Sequence, residues 1–141
     1  TLVVLPERVT KALIQLIQQT RLQVVIVIHA NHPNEIDTEV TQAMVQLTQA
    51  GATLLNQAVL LRGINDDIDT LTELSQTLFQ AGVLPYYLHM LDPVRGTEHF
   101  QVDDQKSLNL HRQLQSRLPG YLVPRLVREL PGQPSKTQMP I

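Results

Sequence analysis

The chain contains no cysteine, which excludes a disulfide framework and any thiolate metal site within these residues. It has no basic run, and its formal net charge is −2. That balance argues against nucleic acid or an anionic membrane surface as the main partner. No long hydrophobic run occurs either. The longest, Val24–Ile28, is far too short to span a bilayer. No secretory leader is visible, and residue 1 is Thr rather than Met. The opening Leu2–Leu5 reads as if the chain entered in mid-strand, so a fragment of a longer, cytoplasmic protein is the expectation. What is present is enough for one globular domain: 141 residues, of which 43% are hydrophobic and only 17% charged.

An amphipathic stretch, then Gly, then an apolar run recurs three times. Gln49-Ala-Gly51 precedes Thr53–Leu61, Gln80-Ala-Gly82 precedes Leu84–Leu91, and Leu118-Pro-Gly120 precedes Leu122–Leu130. Gly just past a helix suits its left-handed closing residue. Near-continuous apolar runs suit parallel strands covered on both faces. A fourth run, Leu22–Ile28, follows Val9–Ile17. Between the runs, Ile36, Val40, Met44 and Leu47 share one helical stripe, as do Leu71, Leu74 and Leu78. Helix starts are marked by Asn34 with Glu35, by Asp66-Asp67-Ile68-Asp69 and by Asp103-Asp104. Alternating helices and strands predict an α/β fold of right-handed βα units. A doubly wound sheet and a barrel are both compatible. Polar groups after nearly every strand favour a partial (half) βα barrel of about four parallel strands. Such a piece has two open strand edges. It therefore implies a missing half, a rearrangement or a homo-oligomer.

The strand ends carry His29-Ala-Asn-His32-Pro-Asn-Glu35, Asn56-Gln57, Arg62-Gly63-Ile-Asn65-Asp66, His89, Asp92, Arg128, Glu129 and Lys136. His29, His32, His89 and Asp92 are residue types that bind zinc, so a metal-dependent barrel hydrolase is one reading. In the bland one, His32-Pro33-Asn34 caps a helix and His89 packs within the barrel. Asn56 and Gln57 are adjacent amides in an apolar strand, so one must point inward or toward a helix. Buried amides need partners, which a ligand's phosphate or ring atoms or a structural amide network could supply. Asp92 could meet a substrate ammonium or cap the turn after it. Lys136 stands in the tail Leu130-Pro-Gly-Gln-Pro-Ser-Lys136, where a lysine can form a Schiff base with a carbonyl cofactor. Both Glu129 and Lys136 could equally be surface charges.

Several motifs, in order, resemble one family. They are Val3-Val4-Leu5-Pro6-x-Arg8, His32-Pro33-Asn34-Glu35-Ile36, Asn56-Gln57-x-Val59-Leu60-Leu61-Arg62-Gly63-Ile64-Asn65-Asp66, Pro85-Tyr86-Tyr87, Gly96-x-x-His99-Phe100, and Gly120-Tyr121-x-Val123-Pro124. The family is the lysine 2,3-aminomutases, radical S-adenosylmethionine (SAM) enzymes that also use pyridoxal phosphate (PLP). The resemblance covers essentially the whole chain. It implies that Lys136 carries PLP and that Asp92 and Glu129 hold the side-chain ammonium of a lysine substrate. Asn56 and Gln57 become candidate cofactor contacts. The reaction implied is a radical 1,2-amino shift between α-lysine and β-lysine. Glu129 stands where the fermentative enzymes have Asp. Glu-x-x-Gly-x-Pro-Ser-Lys looks instead like the branch that makes β-lysine to modify elongation factor P.

The family's [4Fe-4S] cluster needs a Cys-x3-Cys-x2-Cys motif, which is absent here. The expectation is therefore a C-terminal half, residues 1–141, inactive alone. The competing expectation of another class is a cysteine-free binding or assembly module derived from the same barrel.

Overall fold

A computed structural model describes residues 1–91, 96–129 and 132–140. Four helices alternate with strands, in the order α1 (Lys11–Gln19), β1 (Val25–His29), α2 (Thr38–Ala50), β2 (Thr53–Leu60), α3 (Ile68–Gln80), β3 (Val83–Met90), α4 (Asp104–Arg117), β4 (Arg125–Arg128) and β5 (Thr137–Gln138). They form one sheet in the order β1-β2-β3-β4-β5. The first four strands are parallel, and β5 returns antiparallel on β4.

Strand order decides between the two architectures left open by the sequence. A doubly wound sheet reverses direction, which puts helices on both faces. Here every crossover steps the same way. With right-handed connections, all the intervening helices then fall on one face, as in a barrel wall. Burial follows from this. On the helix face, Ile28, Leu54, Leu60, Leu88 and Leu126 join Leu47, Leu78 and Leu114 in one aliphatic core. On the other face, Val25 and Val27 stay exposed. This second, open face is where a barrel has its lumen.

Local chemistry starts and stops the helices. Thr10, Asp37, Asp67 and Asp103 cap the four N-termini, each accepting a backbone N–H three residues on, at 2.9–3.2 Å. The start of α2 is thus Asp37 rather than Asn34. Asn34 and Glu35 lie in a short 3-10 turn, Pro33–Glu35, closed by a His32/Glu35 capping box. Gly51 closes α2 in the left-handed region at φ 114°. Gly120 does not close α4; it opens the 3-10 turn Gly120–Leu122. The opening Leu2–Leu5 is a turn and not a strand, with the Leu5 N–H donating to the Thr1 carbonyl at 2.9 Å. Among the described residues, the antiparallel β5 is the one strand beyond the parallel repeat. No helix among the described residues is long and apolar enough to cross a membrane.

Candidate functional site

Parallel strands deliver their C-terminal ends to one rim, and side chains there divide between the two faces. The register pairs His29 with Gln57, Val59 with His89, and His89 with Val127. His29, Gln57, Val59, His89, Met90, Leu91 and Glu129 line a cavity of 270 Å³ at this rim. A larger hollow of 480 Å³ lies between α1 and α2, but among its lining residues only Lys11 is ionisable. The strand-end cavity is the chemical candidate, because acid, imidazoles and amide converge there.

A β-bulge in β3 sets which β3 residues face this cavity. Asn56 opposes Pro85 and Gln57 opposes Tyr87, which leaves Tyr86 unopposed. The extra residue resets the alternation, so Tyr87 and His89 share the face of Gln57 and Val59. The imidazole Nε2 of His89 lies 3.2 Å from Gln57 Oε1. Tyr87 packs edge-on to His89 at 5.6 Å between ring centroids, and Tyr86 lies against Tyr87 at 4.4 Å. Burial first, then the neighbouring Tyr86, pushes the Tyr87 phenol above its ordinary pKa. At neutral pH it is an uncharged ring.

The β4–β5 hairpin places Lys136. Val127 opposes Gln138 and Arg128 opposes Thr137, so continuing the register sets Lys136 across from Glu129. Opposed residues in an antiparallel pair share a face. Lys136 Nζ lies 3.6 Å from Glu129 Oε1 and 5.4 Å from the centroid of the Tyr87 ring. Reaching β3 from β5 takes the lysine stem across β4 on the open face, where Val127 is buried.

Asn56 and Gln57 point opposite ways. Gln57 lines the cavity. Asn56 is 1% exposed on the helix face, where its Oδ1 accepts from the Ala30 N–H at 2.9 Å and its Nδ2 donates to the Ala30 carbonyl at 3.1 Å. The structure therefore does not bring Asn56 to Lys136; of the two amides, Gln57 is the one turned to the cavity. Asp92 lies outside the described residues.

The zinc set does not assemble among the described residues, where no three His, Cys, Asp or Glu side chains are grouped to hold a metal. His29 and His89 share the cavity, but His32 turns away, its Nδ1 accepting from the Asn34 N–H at 3.1 Å.

Two more amides, Asn31 and Asn65, stand in the strand-end motifs, where sequence reasoning assigned them no role of their own. Asn31 Oδ1 accepts from the Val59 N–H at 2.9 Å. Asn65 is fully buried; its Nδ2 donates to the carbonyls of Asn31 and Val59, and its Oδ1 accepts from the Leu61 N–H at 2.8 Å. Together they fix the loops behind the cavity. Their signal was an Asn in the loop that follows each of two neighbouring strands, β1 and β2.

No protein-family model matches the chain. Individual proteins do. The L-lysine 2,3-aminomutase of Haemophilus influenzae is 52% identical over 135 residues, which is 96% of this chain and 40% of that protein. The Escherichia coli enzyme of the same name is 50% identical over 97% of this chain and 40% of its own length. That of Clostridium subterminale is 40% identical over 97% of this chain and 33% of its own. The chain thus spans about two fifths of the length of the two bacterial relatives first named. Among solved structures, a radical SAM methyltransferase from Sphaerobacter thermophilus matches with a TM-score of 0.61 at 16% identity, over 83% of this chain and 37% of that one. That likeness supports the fold: a mostly parallel sheet with alternating helices in a partial barrel.

Proposed function

We propose that this chain, similar along nearly all its length to lysine 2,3-aminomutases, is the PLP-holding, C-terminal part of such an enzyme. The intact protein would interconvert α-lysine and β-lysine. The observation that carries the reading is the cross-strand pair Lys136–Glu129, laid over Tyr87 at the rim of the sheet.

The residues present fit the carbonyl end of PLP. Lys136, its side chain 28% exposed, can reach a ligand on the open face, whereas Lys106 is tied to Asp66 at 2.7 Å. PLP supplies an electrophilic carbonyl that takes up an amine and eases its movement between adjacent carbons. The cavity lining holds an amide and two imidazoles but no Arg or Lys. A phosphate would therefore find its cationic partners outside this lining. The neutral Tyr87 ring gives a flat apolar wall. Glu129 offers a carboxylate to a second ammonium, that of the substrate's side chain, and Asp92 is proposed to share that role.

The residues do not fit an iron–sulfur cluster, because the chain has no thiolate. SAM and the cluster belong to the remainder of the protein in this reading. The chain alone is then expected to show no aminomutation. Glu129, in place of the shorter acid of the fermentative enzymes, supports the elongation factor P branch.

The test is to add pyridoxal phosphate, reduce with borohydride and map the label. There are only three lysines, Lys11, Lys106 and Lys136, so the comparison is direct. Preferential labelling of Lys136 is expected. Label spread evenly over the three would overturn the assignment of the carbonyl site.

A further inference from the structure

Lys136 stands at the edge of the sheet, immediately before the two-residue strand β5. Its stem has four rotatable bonds, and a free lysine amine would sweep a wide volume. Two groups restrict it. Glu129 is one, but its side chain is 64% exposed, and an ion pair that open to water holds a partner only loosely. Tyr87 is the other. It sits on β3, which is paired on both sides, and its ring is fixed by Tyr86 and His89, with His89 in turn against Gln57. A cation over an aromatic face is attracted by the ring quadrupole, and more strongly where water is partly excluded.

We propose that Tyr87 is a positioning residue for Lys136. Its ring face holds the amine over the open face, and the bulge at Tyr86 exists to aim that ring. The inference rests on reading Lys136 as the carbonyl-binding lysine, and it adds a residue that the resemblance does not assign. The ring, and not the phenol hydroxyl, does the holding, so Phe should replace Tyr and Leu should not.

The experiment is the borohydride mapping at limiting pyridoxal phosphate, on wild type, Tyr87→Phe and Tyr87→Leu. The readout is the share of label on Lys136 relative to Lys11 and Lys106. Tyr87→Phe should keep the wild-type share. Tyr87→Leu should lower it about two- to fivefold, the range of a partly exposed cation–π contact. Lys106 reports on folding, because its ammonium is tied to Asp66 at 2.7 Å. A second measurement needs no variant: after reductive methylation with ¹³C-formaldehyde, the Lys136 methyl signals should lie upfield of those of Lys11, shifted by the ring.

An unchanged Lys136 share in Tyr87→Leu overturns the inference, as does an equal loss in Tyr87→Phe or the absence of a ring-current shift. An even spread of label in wild type removes the parent reading as well. The two failures are therefore distinguishable.

Discussion

Replacing Asn56 with Ala separates the structural from the ligand-binding account of the amide pair. The side chain makes two hydrogen bonds to Ala30, at 2.9 and 3.1 Å, and Ala30 is fully buried. Truncation leaves the Ala30 N–H and carbonyl without these partners in a place water cannot easily reach. Each such orphan costs about 1–3 kcal/mol, so about 2–6 kcal/mol is expected for the pair. For a chain of this size that is a drop in Tm of about 6–18 °C, at about 3 °C per kcal/mol. Asn56→Asp should do no better, since its second oxygen would face the Ala30 carbonyl. Urea unfolding followed by circular dichroism gives the stability. The Lys136 label share, taken where the variant is fully folded, gives the site. The expected result is a large stability loss with an unchanged label share, because Asn56 faces the helices and Lys136 the open side. A loss below about 1 kcal/mol together with a fall in Lys136 labelling would refute this and return Asn56 to ligand binding.

Two further outcomes follow from the core and the charges. Leu78 is fully buried in the last turn of α3, so Leu78→Ala should cost about 2–5 kcal/mol by urea titration. Burial alone would raise the Asp66 carboxyl's pKa, but hydrogen bonds from Lys106 and the Gly63 N–H outweigh it and the net shift is downward from 3.8. A depressed folded pKa stabilises above the unfolded value and is lost as pH falls through the folded one. Stability should therefore decline as the pH drops below about 4, and Lys106→Met should flatten part of that decline in acid titrations.

The repeat was legible because each level agreed. Apolar stripes at helical spacing, acidic caps and Gly51 all specify the same βα unit, and the stripe residues Val40, Met44, Leu47, Leu71, Leu74 and Leu78 are all buried. The site was legible in residue type but not in orientation. Counting in twos from Val83 and Pro85, both buried on the helix face, puts Tyr87 and His89 among the helices. The bulge reverses that, and its one local signal was a Pro in an interior strand. The Glu129–Lys136 spacing was legible only as a motif. Its physical content is a hairpin, which needs the antiparallel β5, and β5 is too short for its residues to show strand periodicity. The wrong start for α2 has a similar cause: Asn34 and Asp37 are both good caps, and the choice depends on where Pro33 and the His32/Glu35 box end the loop.

The bulge carries a prediction of its own. Deleting one residue from a central strand normally moves every later side chain to the opposite face, which exposes the core set and unfolds the sheet. Deleting Tyr86 should not. Pro85 already opposes Asn56 and Tyr87 already opposes Gln57, so removal leaves the same partners in an ordinary ladder. What is lost is the Tyr86 ring, which packs on Tyr87 at 4.4 Å and carries the Arg125 guanidinium at 5.6 Å. Those contacts total about 1–2 kcal/mol, well within the stability of a domain this size. Deleting Leu88, two residues on, removes a core side chain and shifts Met90 off the helix face, so that variant should not fold. Circular dichroism and urea titration of the two deletions give the comparison. If the Tyr86 deletion is as disruptive as the Leu88 one, β3 has no slack at residue 86, and the orientation argued for Tyr87 and His89 falls with it. If it folds and Lys136 loses its label preference, the bulge is needed to aim Tyr87 rather than to hold the register.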